Sequence, residues 1–161
     1  MVIAQPVAPS AATIDRAAVL ERLATVHDPE IPTISIVDLG IVERVAVTPT
    51  AIEIELLPTF VGCPALDVIR AAVTDALAGL DRPVEVAFTW RVPWTSDRIS
   101  DHGRQRLAAA GFAPPAAPED VRCPYCASSH VAMDSAFGPT LCRSLFYCRE
   151  CRQPFEAFKP I

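Results

Sequence analysis

The chain has 161 residues, 51% hydrophobic and 20% charged, enough for a body with its own core plus a small appendage, and for neither to need disulfides. Its net charge of −5 is uneven, with nine Arg against sixteen acids before residue 121 and five basic residues against three acids after it, so neither part offers the basic surface that a nucleic acid requires. The first twelve residues hold no Lys or Arg and nothing approaches roughly 18 uninterrupted apolar residues, which speaks against a secretory leader, a presequence or a membrane span and leaves the cytoplasm as the expected compartment.

In chain order, residues 1–12 read as a flexible N-terminus. Thr13 then stands as the cap of a helix whose Ile14, Ala17, Ala18, Val19, Leu20 and Leu23 form one apolar face, stopped at Pro29. After a loop rich in Pro and β-branched residues, 41–47 reads as a strand, Thr48-Pro49-Thr50 as a turn, and 52–57 as an antiparallel partner alternating Ile, Glu, Ile, Glu, Leu. Pro64 suits the first turn of a second helix, with Ala65, Ile69, Ala72, Val73, Ala76 and Leu80 as its stripe. Residues 84–90 alternate again and give a third strand. Ser100 caps a last short helix ending at Gly111. The expected body, 13–111, is therefore an α+β domain in the order α-β-β-α-β-α, a small mixed three-stranded sheet packed with helices. Pro114, Pro115 and Pro118 make 112–122 a stiff linker to a C-terminal unit, 123–161.

That unit carries the strongest local signal. Cys123-Pro-Tyr-Cys126 and Cys148-Arg-Glu-Cys151 are two C-x-x-C knuckles with 21 residues between them. Two residues between thiols let both sulfurs reach one tetrahedral ion, and a second such turn completes a four-thiolate shell. Residues 131–137 and 141–147 form a hairpin and 154–158 a third strand, which is a zinc-ribbon β-domain pattern. About 39 residues bury too little apolar surface to fold alone, whereas Zn(II) supplies roughly 10–16 kcal/mol to such peptides. Zinc is favoured, in a structural position with no open coordination site; iron also suits four thiolates. In a reducing compartment the six cysteines are metal ligands or reactive thiols rather than disulfides. Cys142 has no partner at knuckle spacing, leaving two readings: a small buried hydrophobe or a fifth ligand.

In the body, Cys63 precedes Pro64 at the expected helix start and follows Pro58-Thr59-Phe60-Val61-Gly62. A cysteine at a helix N-terminus is favoured as thiolate, with pKa values lowered to roughly 3.5–7.5, and such a thiolate ligates iron or attacks an electrophile. A buried residue without chemistry is the competing reading. No His adjoins it in sequence. His27 is a base only if folding brings the end of the first helix close, and His102 and His130 read as surface residues. Asp28-Pro29-Glu30 and Asp38-Leu39-Gly40 flank a loop near the sheet edge, where carboxylates bind a cation, act as acid and base, or simply cap turns.

The run from Asp28 to Val42 and the run Pro58-Thr-Phe-Val-Gly-Cys-Pro-Ala65 resemble the signature of iron–sulfur cluster assembly factors of the Suf T type. With Pro93-Trp-Thr-Ser-Asp97 and the ribbon ending Phe155-Glu-Ala-Phe-Lys-Pro-Ile161, nearly all of the chain after Ala12 resembles the family of phenylacetate-degradation D subunits. It departs from that pattern at Arg98, where the family has a Trp. The resemblance implies an accessory subunit of the phenylacetyl-CoA epoxidase system, without independent catalysis, whose other components carry the di-iron centre, flavin and ferredoxin-type cluster. This chain has neither a Glu-x-x-His helix pair nor a glycine-rich dinucleotide turn. The family's reactive cysteine falls on Cys63, as a transient ligand of iron or an iron–sulfur cluster, and its acidic motif on Asp28, Glu30 and Asp38; Thr59, inside the same signature, joins them as a candidate. The implied partners are the other epoxidase components, above all the iron–sulfur reductase subunit. A non-catalytic scaffold is the alternative, and homo-oligomerisation is left open.

Overall fold

The computed structural model describes residues 14–161, so the cap expected at Thr13 lies outside them. Asp15 caps the first helix instead: its Oδ1 accepts from the Ala18 N–H at 2.8 Å, opening α1 (Arg16–Leu23). Where a loop was expected, β1 (His27–Asp28) and β2 (Ile31–Ser35) form an antiparallel pair, with Asp28 opposite Ile31. Pro29 and Pro32 conceal it in the sequence. A two-stranded ladder tolerates Pro32, because one side of β2 needs no partner for its N–H.

The rest of the body follows the expected alternation. β3 (Val42–Val47) pairs antiparallel with β4 (Ile52–Leu56), and α2 (Leu66–Ala76) returns the chain so that β5 (Val84–Phe88) lies parallel to β4. The sheet is mixed, in the order β3-β4-β5. Ile52, Ile54 and Leu56 turn one face of β4 inward against Val19 and Leu23 of α1 and Ile69 and Val73 of α2, which bury together. Each such side chain contributes roughly 1.5–3 kcal/mol by leaving water.

After β5 the chain crosses back over the loop that follows β2. Trp94 is buried there and donates its Nε1–H to the Leu39 carbonyl at 2.9 Å. Arg98, on the single 3₁₀ turn Ser96–Arg98, donates from Nε to the Gly40 carbonyl at 3.0 Å and pairs with Glu43. The guanidinium thus ties the 3₁₀ turn to the loop after β2 and to β3. Gly40 has φ +72°, and a Cβ there would lie 2.3 Å from the Arg98 carbonyl oxygen, so no larger residue fits. Ser100 caps α3 (Asp101–Ala109) as expected, its Oγ accepting from the Gly103 N–H at 2.9 Å.

The C-terminal sheet has four strands in the order β6-β9-β8-β7, comprising β6 (Phe112–Ala113), β7 (Val131–Ser135), β8 (Arg143–Cys148) and β9 (Pro154–Phe158). β6 comes from the stretch read as linker and runs parallel to β9, pairing Phe112 with Glu156 and Ala113 with Ala157. The two units also share apolar packing: Phe158 belongs to the body's buried cluster, and Phe112 and Cys142 pack against it. The ribbon keeps a second cluster, with Phe146 and Phe155 stacked 5.7 Å apart.

A buried cation fastens this seam. Arg143, 5% exposed, pairs with Glu156 at 2.6 Å, approaches Glu30 of the body at 3.8 Å, donates from Nε to Thr140 Oγ1 at 2.7 Å and lies over the Phe112 ring. Arg143→Met strands Glu156 and is expected to lower unfolding free energy by about 2–4 kcal/mol, with the double change R143M/E156L recovering most of it. Urea unfolding of both variants measures this.

Candidate functional site

Two sites emerge, one in the ribbon and one at the seam. In the ribbon, Cys123, Cys126, Cys148 and Cys151 bring their sulfurs within 4.8 Å of one another. The Cys123–Cys151 and Cys126–Cys148 sulfur pairs are each 3.6 Å apart. A tetrahedral ion with metal–sulfur bonds of about 2.3 Å spaces its ligands about 3.8 Å apart, a spacing close to that of these two pairs. The residue after each knuckle is left-handed, Ala127 at φ 58° and Arg152 at φ 60°, which turns following backbone N–H groups toward the sulfurs. Burial disfavours the Cys148 thiolate, but the N–H groups of Cys151 and Glu150 outweigh it and bring that thiol down to about 7. Cys151, by contrast, is pushed up to about 12 by burial and by its neighbouring sulfurs. Four thiols that cannot all ionise together are resolved by a cation among them.

The second site is a cavity of about 250 Å³ where the body meets the ribbon. One wall holds Asp28 at the end of β1, Glu30 from the turn after it, and Thr59, Phe60 and Cys63 from the loop before α2; the other is ribbon, residues 138–142 with Phe158. Of the body residues singled out in the sequence, Cys63, Asp28, Glu30 and Thr59 come together here. Asp38 does not. It sits under α3, its carboxylate accepting from Ser35 and Ser100 hydroxyls at 3.0 and 2.6 Å and meeting His102 at 3.0 Å. Against the opposing effect of burial, these contacts hold its pKa below the usual carboxylate value, which marks a structural clasp. His27 is exposed and turns its Nδ1 to the Thr25 carbonyl, outside the cavity.

Cys63 departs from the sequence expectation in two respects: it lies ahead of the helix and not at its first turn, and its thiol is raised where a lowered one was expected. α2 begins at Leu66 with Ala65 as its cap residue, so Cys63 lies in the turn ahead of the helix, its N–H donating to Phe60 O at 3.3 Å. Burial pushes the thiol's pKa up, and the charges of Asp28, Cys142 and Glu30 add to that, while the Ala65 N–H partly opposes it. The proton therefore stays on sulfur at neutral pH. Asp28 is also raised, chiefly by its own burial, although its Oδ1 accepts from the Glu30 and Ile31 N–H groups at 2.7 and 3.2 Å. A buried carboxylate beside a half-buried thiol favours a cation in place of the thiol proton. Sequence reasoning missed Thr140 and Cys142 in the lining of this cavity, and Arg143, which holds Thr140. The one available signal was a cysteine unassigned by the knuckle spacing.

Residues 16–88 match the model described as "Iron-sulfur cluster assembly protein", and residues 109–159 that described as "PaaD zinc beta ribbon domain". Over 147 residues the chain is 39% identical to an Escherichia coli (strain K12) protein named as the putative D subunit of 1,2-phenylacetyl-CoA epoxidase, covering 86% of this chain and 89% of that one. The chain belongs to this family of D subunits. Its body is further similar to the Bacillus subtilis (strain 168) "Fe-S protein maturation auxiliary factor YitW", 34% identical over 92 residues, 55% of this chain and 89% of that protein. Among solved structures, a domain of unknown function (DUF59) from Bacillus anthracis superposes with TM-score 0.53 at 28% identity, covering 56% of this chain and 89% of that one. A conserved hypothetical protein from Thermotoga maritima gives TM-score 0.50 at 26% identity over 58% of this chain and 94% of its own. The ribbon is thus what this family has in addition to the shared assembly fold. No helix among the described residues is long and apolar enough to cross a membrane.

The raised thiol yields a sign. Asp28→Asn keeps an oxygen for the Glu30 and Ile31 N–H groups while removing the charge that disfavours the Cys63 thiolate. It is expected to leave stability unchanged or higher and to speed iodoacetamide alkylation of Cys63 at pH 7.5, with the rate of both proteins rising toward alkaline pH. Alkylation followed by mass spectrometry, beside a urea melt, measures both effects.

Proposed function

We propose that this protein is an accessory factor of a phenylacetyl-CoA epoxidase system that carries iron, or a nascent iron–sulfur cluster, on Cys63 and passes it to an epoxidase component, the iron–sulfur reductase subunit first among them. The observation that carries this reading is that the half-buried Cys63 and the buried Asp28 line one small cavity together. At about 250 Å³ that cavity falls below the roughly 300–1,000 Å³ of sites for drug-sized organic ligands, so it suits an ion or small inorganic cargo better than an acyl-CoA. No histidine lines it, which leaves the thiol without the base that a cysteine hydrolase uses.

Loading and release are ligand exchanges. As a bond from iron to the Cys63 sulfur forms, the thiol proton leaves to solvent; as a client thiol gives up its own proton and takes that position, Cys63 recovers one. No electron moves. Because the resting thiol holds its proton, the metal has to displace it, so retention is weaker at lower pH and release is easy. In the ribbon we assign zinc, in keeping with four thiolates and no open coordination position. Its work is to hold one wall of the cavity and to present the protein to its client in the cytoplasm.

A scaffold reading draws support from a different feature. Val61, Trp90 and Val92 are exposed beside Ile161 along a shallow groove next to the cavity, a surface suited to a partner protein. The two readings divide on Cys63. Cells carrying Cys63→Ser are expected to fail to grow on phenylacetate while growing normally on other carbon sources, and their reductase to contain substoichiometric iron and sulfide. Normal growth with a fully loaded reductase would leave only the scaffold.

A further inference from the structure

Cys142 is unused by the ribbon ion. Among the described residues the four knuckle cysteines alone crowd within one ion's ligand shell, and Cys142 lies at the other side of the unit, in the loop leading into β8. It is half-buried and lines the same cavity as Cys63, Asp28 and Glu30. Its position is fixed: the Lys159 N–H donates to the Cys142 carbonyl at 2.9 Å, Thr140 Oγ1 lies 3.2 Å from its sulfur, and Arg143 holds Thr140. Two thiols from separate units thus face one space, with a carboxylate nine-tenths buried beside them.

We propose that Cys142 is a second thiol ligand for the cargo carried on Cys63, so that the binding site is built across the seam from one cysteine of the assembly body and one of the ribbon. The inference rests on the reading of Cys63 given above and adds a residue that the assembly fold by itself does not contain. Thiols with a carboxylate select borderline and soft transition metals over magnesium or calcium. The cavity's donors are spread more widely than the ribbon's, since no group of three in it lies within 4.8 Å. Two protein ligands with open positions suit a cluster, or an ion that still holds exchangeable ligands, and leave room for a client thiol to enter. A site spanning two units also explains why the ribbon is seated on the body, with Phe158 in the body's core, instead of trailing on a linker.

Cobalt(II) is a suitable probe, added without oxygen to the full-length protein with its ribbon zinc in place. Thiolate-to-cobalt absorption reads binding, and iodoacetamide labelling with mass spectrometry reads which cysteines are covered. The expected result is one cobalt per chain beyond the ribbon ion, with labelling of both Cys63 and Cys142 slowed together. Cys63→Ser and Cys142→Ser should each weaken cobalt binding by more than about tenfold, since even a supporting partner of a metal ligand is worth 10- to 100-fold. Protection of Cys63 with unchanged labelling of Cys142, or wild-type affinity in Cys142→Ser, would overturn the proposal and leave the Cys63 reading standing. Protection of neither cysteine in the wild type would overturn both. The footprint is made on the unaltered chain, so it decides even if a variant folds poorly.

Discussion

Four sulfurs converging on one ion are the constraint from which the rest of the architecture follows. The ribbon's own apolar cluster is small, built on Phe146, Phe155, Val121 and a few alanines and cysteines, too little by itself to offset the chain entropy of about 40 residues. With the knuckles closed on a metal, β8 and β9 are held in register, and that register delivers three things to the body. Phe158 enters its core, Arg143 reaches Glu156 and Glu30, and residues 138–142 close one side of the cavity. The metal does no chemistry in this account; it makes a wall.

Across that wall the electrostatics are unfavourable by design of the fold. Asp28 is buried with its charge opposed by little beyond two backbone N–H groups and the more distant Arg143, and the neighbouring Cys63 thiol keeps its proton chiefly through its own burial, with the Asp28 charge adding to that. Burying such groups destabilises the resting protein, and a cation entering the cavity relieves it. Asp38 shows the contrast within the same chain. Its carboxylate is surrounded instead by Ser35, Ser100 and His102, and is stabilised as an anion. Acids in one short stretch of sequence therefore divide into a latch for α3 and a lining for the cavity.

How much of this could be read in advance depended on the range of the interaction. The knuckles were legible because C-x-x-C spacing is local geometry, β4, α2 and β5 because their periodicity declares a buried face, and α3 because Ser100 and Gly111 mark its ends. The β1–β2 pair was hidden by Pro29 and Pro32, which ordinarily argue against strands but are tolerated at an edge. The start of α2 was placed two residues too early, because Pro64 fits a helix start as well as the turn that precedes one. The strand at Phe112–Ala113 looked like linker, since two residues pairing with β9 leave no pattern of their own. Most of the cavity was illegible for a single reason: its two walls are about 80 residues apart in sequence, from Cys63 to Cys142, and only tertiary packing joins them. The residues themselves and the resemblance to the assembly family both pointed to Cys63 and Asp28, but the ribbon half had no counterpart in that signature.

If the metal-closed ribbon makes half of the cavity, removing its ion should be felt at a sulfur in the other half. The direct measurement is the alkylation rate of Cys63 as the ribbon metal is withdrawn with a chelator and then restored. Loss of the wall should uncover Cys63 and accelerate its labelling in step with metal loss, and restoration should reverse it. A Cys63 rate that stays constant while the ribbon empties would contradict the account, because body and ribbon would then be independent and the cavity no shared site.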